Sequence, residues 1–234
     1  MFLSVVIPTY NRLPILQKCL QALEQQRLEA PITAYEVVLG DDGSTDDTVA
    51  WLGREAARFP HVRLIQQDHG GPAEGRNRGV DHARGDVIVF IDSDRVVTDD
   101  FLLCHARRLQ QSWAERGDRL CFPYGAVINT ANFDDPTSEP HKLNDLSWAY
   151  FATGNVAIDR QVLERSGLFD TRFRLYGWED LELGERLRRM GVVLVRCPEA
   201  VGYHWHPPLS LEQVPRPHPQ MRMVLLFLSL QQEG

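Results

Sequence analysis

The sequence predicts an α/β fold, a mixed, mostly parallel sheet with helices on both faces. Three observations predict it: apolar runs of strand length recur, each stops at a polar turn, and segments of helical periodicity stand between them. Strand and helix alternating at this spacing favour parallel pairing through crossover helices.

Taken in order, the first strand lies in FLSVVIPTYNR and stops at Pro8. A helix follows from Leu13 to about Leu28, with Leu13, Leu16, Leu20 and Leu23 at three- and four-residue spacing. YEVVLGDDGSTDDT repeats the arrangement, with Ser44 or Thr45 as the cap of the second helix. HVRLIQQ reads as a third strand, GPAEGRNRGVDHA as a loop and helix, and DVIVFIDSD as a fourth strand. LCFPYGAVINT reads as a strand, NFDDPTSEPHKLND as irregular, SWAYFATGNVAIDR as a strand segment, and RQVLERSG as a short helix ending at Gly167. LFDTRFRLYGWED is an aromatic loop, LELGERLRRMG an amphipathic helix ending at Gly191, and VVLVRCP the final strand. The stretch GYHWHPPLSLEQVPRPHP reads as a mobile proline-rich segment, and MRMVLLFLSL as an apolar helix. Residues 1–206 are therefore expected to form one domain, with 207–234 appended.

Composition narrows the class. The chain's 234 residues suffice for one sizeable core, and 43% hydrophobic with 24% charged residues is ordinary for a soluble globular protein. A net charge of −7 argues against a nucleic-acid partner. Lys18 and Lys142 are the only lysines; the arginine preference reads first as a composition bias and second as phosphate binding. Cys19, Cys104, Cys121 and Cys197 are far apart without CxxC spacing, which suits reduced thiols rather than zinc or a disulfide frame. With no leader and no long apolar span, a cytoplasmic protein is expected. The C-terminal VLLFLSL is too short to cross a bilayer; it would dock on the core by default, pair with a subunit, or touch a membrane surface.

The strand endings carry the chemistry. Thr9-Tyr10-Asn11, Asp41-Asp42-Gly43-Ser44 and Asp92-Ser93-Asp94 would share one rim, because ligands of such sheets sit outside the carboxyl ends of the strands. Asp-Asp-Gly-Ser is also simply a good turn and cap. The D-x-D, mounted on the apolar VIVFI, holds two carboxylates close together, and they repel unless a cation lies between them. Magnesium or manganese, sharing oxygens with a substrate phosphate, is the natural partner.

SVVIPTYNR, VVLGDDGSTDDT, GRNRG and GDVIVFIDSD, in that order, resemble the nucleotide-sugar half of family 2 glycosyltransferases, which have the GT-A (Rossmann-like) fold. GLFD, GWEDLELGERLRRMG and YHWH resemble the acceptor half of that family and of related galactosyl- and N-acetylgalactosaminyltransferases. The resemblance covers residues 3 to 206. It implies a donor half (1–100) and an acceptor half (101–206), and an inverting transfer from a nucleotide sugar, a UDP-sugar by preference, to a glycan, lipid-linked or small-molecule acceptor. Pro8, Thr9 and Tyr10 would meet the donor base and ribose, with Tyr10 stacking on the base. Asp42 would accept a hydrogen bond from the base while Asp41 supports the strand end. Arg76 would sit near the base or phosphates, with Arg78 the weaker candidate. Asp92 and Ser93 would meet the ribose or a metal-bound water, and Asp94 the Mn or Mg ion, with His204 or His206 as a further metal ligand.

The Glu-Asp pair of GWEDLEL would carry the reaction, with Asp180 as the base for the acceptor hydroxyl and Glu179 orienting or binding the acceptor. A helix N-terminus tends to lower a carboxylate pKa, so base strength would have to come from burial near Trp178 or from Glu179. Trp148, Tyr150, Gly154, Asn155, Tyr176 and Trp178 would surround the acceptor. The alternatives are a sugar-phosphate nucleotidyltransferase, for which IPTYNRLP lacks the expected glycines, and a non-catalytic glycan- or nucleotide-binding protein.

Overall fold

The computed structural model describes residues 1–138, 149–173 and 178–205, with 140–144 described as backbone alone. Trp148, Tyr176, His206 and the C-terminal segment lie outside the described residues. The strands are β1 (Phe2–Thr9), β2 (Ala34–Asp41), β3 (Val62–Gln66), β4 (Val87–Ile91), β5 (Arg95–Val97), β6 (Cys121–Thr130), β7 (Pro140–Asn144), β8 (Asn155–Asp159) and β9 (Val193–Trp205). The α-helices are α1 (Leu13–Glu24), α2 (Thr48–Glu55), α3 (Pro72–His82), α4 (Phe101–Arg116), α5 (Arg160–Arg165) and α6 (Trp178–Arg189).

One nine-stranded sheet runs β3-β2-β1-β4-β8-β6-β9-β5, with β7 paired to β6. β1, β2, β3, β4, β6 and β9 run one way; β5, β7 and β8 run the other. The period-two alternation of a strand divides the core into two layers. Leu3, Val5, Ile7, Val87, Val89 and Ile91 pack with α1, α2 and α4 on one face. Val6, Val38, Ile88 and Phe90 pack with α3, α5 and α6 on the other.

The expected mixed, mostly parallel sheet is therefore present, but several local expectations are corrected. α1 ends at Glu24, not Leu28. Ser44 and Thr45 do not cap α2, which starts at Thr48. They bind Asn11 instead: Ser44 Oγ accepts from Asn11 N (2.9 Å) and Asn11 Oδ1 accepts from Thr45 N (2.7 Å), which ties the loops after β1 and β2 together. The irregular stretch contains β7, and only Asn155–Asp159 of SWAYFATGNVAIDR is strand. β5 was not expected, and β9 continues through Gly202–Trp205, so the start of the supposed mobile segment is sheet.

The GRNRG segment shows how sequence sets packing. Helix α3 lies close to β1 because position 79 has no side chain: a Cβ there would stand 2.4 Å from Val6 Cγ1. Overpacking of this kind costs about 1–3 kcal/mol, against a helix-propensity gain of about 1 kcal/mol for Ala over Gly. Gly79→Ala is expected to destabilise, whereas Val6→Ala/Gly79→Ala should be more stable than the sum of its singles predicts. Urea unfolding of the three variants measures that coupling, and strict additivity would show that α3 is not pressed against Val6.

Candidate active site

The carboxyl ends of β1, β2 and β4 and the N-terminus of α6 bring the polar residues to one rim. At its outer edge Tyr10 is 42% exposed, with its ring centroid 4.4 Å from that of His69. Pro8 is half-buried beside Gly75 of α3, and Thr9 is buried with its hydroxyl unpartnered among the described residues. Asp41 is buried and accepts from Ser44 N, in keeping with a supporting role. Asp42 accepts from Gln67 Nε2 (2.7 Å), Gly70 N (2.8 Å) and Gly71 N (3.0 Å), and its Oδ2 lies 2.9 Å from His69 Nδ1. A carboxylate has about four acceptor positions, so the 67–71 loop engages all of them.

Inside the rim lies a buried charge network. Arg76, on α3 and 1% exposed, donates from Nη1 to Glu179 Oε1 (2.7 Å) and from Nη2 to Asp92 Oδ1 (3.1 Å). Its Nη1 is also 3.9 Å from Asp180 Oδ1, and its guanidinium carbon sits 5.7 Å from the centre of the Phe169 ring. Asn77 fixes that loop, donating to Phe169 O (2.8 Å) and accepting from Phe169 N (2.9 Å). Arg76, expected near the base or phosphates, has its guanidinium enclosed by carboxylates, Asp92 of the expected donor set among them, and an aromatic ring. Arg78 points to the exposed side of the same helix. Glu179 is fully buried, so it has no exposed surface for an acceptor.

Asp180 accepts from Thr153 N (3.0 Å) and Thr153 Oγ1 (2.9 Å). Burial pushes its carboxyl up to about 6; Glu179 and Asp92 add to the rise while Arg76 and the Thr153 amide oppose it. Burial, with Glu179 adding to it, therefore outweighs the lowering that a helix N-terminus would give.

The D-x-D is placed by pairing rather than by its own loop. Strand β5 follows it at once and pairs with β9, Arg95 opposite His204, and Trp205 N donates to Asp94 O (3.1 Å). His204 Nε2 thereby comes to 3.6 Å from Asp94 Oδ2. His204 Nδ1 donates to Asn129 Oδ1 (3.1 Å), which in the neutral ring leaves the lone pair on Nε2. Burial works against ionisation of Asp94, but His204, then Arg95 and Arg12, outweigh it and hold the carboxyl down at about 2. Arg12 ion-pairs with Oδ2, while Oδ1 is buried and without a partner among the described residues. A buried carboxylate oxygen beside an imidazole suits a hard divalent cation. No group of three or more His, Cys, Asp and Glu side chains gathers among the described residues, so phosphate or water oxygens would have to complete the shell. Ser93 is buried between the two aspartates, and Asp92 also accepts from Arg95 Nη2 (3.3 Å).

On the expected acceptor side, Asn155 is corrected to a structural joint. It is fully buried, donates to Ala126 O and Ala200 O (both 2.8 Å), and its Oδ1 lies 2.8 Å from His105 Nε2. Gly154 makes room for Arg95, since a Cβ there would lie 2.2 Å from Nη2. Tyr150 packs edge-on to Phe122 and donates its hydroxyl to Val192 O (2.8 Å). Trp178 is half-buried at the first position of α6. Sequence reasoning did not single out Arg12, His69, Arg95, Asn129 or Thr153. Of these, Arg12 closes the quoted motif SVVIPTYNR and Arg95 follows the D-x-D, while nothing local marked the other three.

A mixed sheet with interleaved helices and a D-x-D at the carboxyl rim defines a protein of the GT-A class. The family model described as Glycosyl transferase family 2 matches residues 4–165, and the chain belongs to that family. It is 26% identical over 263 residues to the uncharacterized glycosyltransferase YfnE of Bacillus subtilis (strain 168), covering 90% of this chain and 66% of that protein. Among solved structures it superposes on S. aureus TarS 1-349 in complex with UDP-GlcNAc with a TM-score of 0.71 at 18% identity, covering 97% of this chain and 65% of that one. The mannosyltransferase PcManGT from Pyrobaculum calidifontis, in complex with GDP-Man and Mn2+, gives a TM-score of 0.61 at 24% identity, covering 86% and 56%. The chain thus spans two thirds or less of these proteins. No helix among the described residues is long and apolar enough to cross a membrane.

The raised pKa of Asp180 has a stability consequence. Its native value of about 6 lies above the ordinary 3.8, so the folded chain retains a proton that the unfolded chain releases between these pH values. Stability from this group falls as pH rises through that window, a cost on the order of 2–3 kcal/mol once both states are ionised. Asp180→Asn, which still accepts from Thr153, is expected to raise stability at pH 7.5 and to gain about half as much at pH 5. Denaturant unfolding at both pH values checks this; an equal effect at both would mean that the carboxyl titrates normally.

Proposed function

We propose that the protein is an inverting, metal-dependent glycosyltransferase that takes a UDP-sugar as donor, with residues 1–100 binding the donor and 101–206 the acceptor. The observation that carries this reading is the placement of Asp180, raised to about 6, on the same buried network as the D-x-D. A proton acceptor near neutrality and a strongly anionic site beside it are what displacement of a nucleoside diphosphate by a hydroxyl needs.

In this reading Asp94 and His204 would hold Mn or Mg, whose contribution is Lewis-acid neutralisation of the departing diphosphate. Asp180, held by Thr153, accepts the acceptor hydroxyl proton as its oxygen forms a bond to the anomeric carbon. The bond from that carbon to the diphosphate oxygen breaks on the opposite face, and the configuration inverts. Arg12, half exposed on a side chain that reaches Asp94, is free to turn from the carboxylate toward a bound phosphate. Tyr10 stacks on the base. For Asp42 to accept from uracil, one partner of its carboxylate must yield, and the exposed His69 is the one placed to do so.

Calorimetric titration of UDP and GDP, with and without manganese, tests the donor site on wild type and Asp94→Ala. Manganese-dependent UDP binding, weakened tenfold or more in the variant, is expected; tenfold corresponds to about 1.4 kcal/mol. GDP binding tighter than UDP would overturn the donor assignment, and metal-independent binding of both would remove the proposed role of Asp94.

A further inference from the structure

We infer that Arg76 is a positioning residue: its guanidinium ties the start of α6, which carries Asp180, to Asp92 and is the fixed opposite charge that the Asp180 carboxylate faces. The catalytic meaning rests on the reading of Asp180 as the base; the electrostatic coupling does not, and it is testable on the protein alone.

Three features make the guanidinium a fixed charge. It is almost fully buried, it hydrogen-bonds to Glu179 at 2.7 Å and Asp92 at 3.1 Å, and α3 is pressed against β1 at Gly79. Phe169, bolted to α3 through Asn77, lies against the guanidinium. An arginine stays protonated at any pH relevant here, so this charge does not titrate away. Among the described residues, the groups facing Asp180 are Arg76 from α3, Asp92 from the end of β4, Glu179 beside it on α6, and the amide and hydroxyl of Thr153. Arg95 in turn donates to Asp92 (3.3 Å). The carboxylates raise the Asp180 pKa and Arg76 lowers it. Glu179 is fully buried with Oε2 unpartnered among the described residues, and its Oε1 accepts from Arg76. The same guanidinium spans the strand end that carries the D-x-D and the helix start that carries the base. Glu179 thus acts on Asp180, directly and through Arg76, rather than on the acceptor.

The test follows Asp180 by NMR of protein labelled with 13C at aspartate side-chain carboxyls, its signal assigned by its loss in Asp180→Asn. In wild type the midpoint should lie near 6. Arg76→Met should raise it by about one pH unit or more, as expected for removal of an opposite charge about 4 Å away. Arg76→Lys, which keeps the charge but not the fork, should fall between Met and wild type. Glu179→Gln should move the midpoint down, because it removes a like charge and leaves Arg76 less neutralised. A purely structural Arg76 would give no such opposed pair of shifts. An unchanged or lowered midpoint in folded Arg76→Met overturns the inference. If that variant does not fold, Arg76→Gln, which keeps a polar side chain without the charge, decides in its place; an unchanged or lowered midpoint there overturns the inference too. No nucleotide enters this experiment, so a failure here and a failure of the UDP titration are separate results.

Discussion

The buried ion cluster around Arg76 is the constraint on which the rest of the site depends. An ion taken into a protein interior costs several kcal/mol unless partners of good geometry replace its water. Arg76, Glu179 and Asp92 meet that condition only together: guanidinium and carboxylates are all nearly inaccessible, and each satisfies part of another. Because the partners come from α3, α6 and the end of β4, the cluster forms only when both halves of the sheet are assembled. The small residue at position 79, the Asn77–Phe169 pair and the Thr153–Asp180 bonds are then conditions for its geometry.

A second constraint acts on the opposite side of the D-x-D. β5 is three residues long and has little pairing energy of its own, yet its partner β9 is thirteen residues long and already paired to β6 along its length. The long strand provides the template, and the short one turns the chain after Asp94 so that Arg95 faces His204. Arg95 then reaches back over Gly154 to Asp92. One short antiparallel contact therefore sets the separation of Asp94 and His204 and supplies the second guanidinium beside Asp92.

This division explains what was legible in the sequence. The parallel strands and their polar ends are contiguous stretches, so β1, β2, β3, β4 and the rim at Thr9, Asp41, Asp42, Asp92 and Asp94 could be read directly. The placement of Asp180 in the first turn of α6 was legible for the same reason. The partners of Arg76 were not: Asp92 lies 16 residues away and Glu179 lies 103 away, and no local pattern encodes such a contact. Resemblance to the family put Arg76 near the donor because it notes which residues recur, not which partners they take. Asn155 was misread, since a buried amide joining β6, β8 and β9 looks, in sequence, like any polar residue beside a glycine. β5 was too short for any periodicity to register.

The two aspartates at the centre of the proposed chemistry have opposite electrostatic fates on one rim. Both are buried, and burial alone would push both carboxyls up. Asp94 faces the His204 ring and the guanidinium groups of Arg95 and Arg12, and together these overcome burial and hold its carboxyl down at about 2. Asp180 faces one guanidinium that Glu179 and Asp92 already largely neutralise, so burial prevails and the carboxyl rises to about 6. Environments that drive two like groups apart in this way are how one site divides acid–base roles among identical side chains. A carboxylate that never accepts a proton near neutrality suits a divalent cation; one poised near 6 suits a proton in transit. What separates the roles is not the residue type but how many cations each carboxylate must share, and with which other anions.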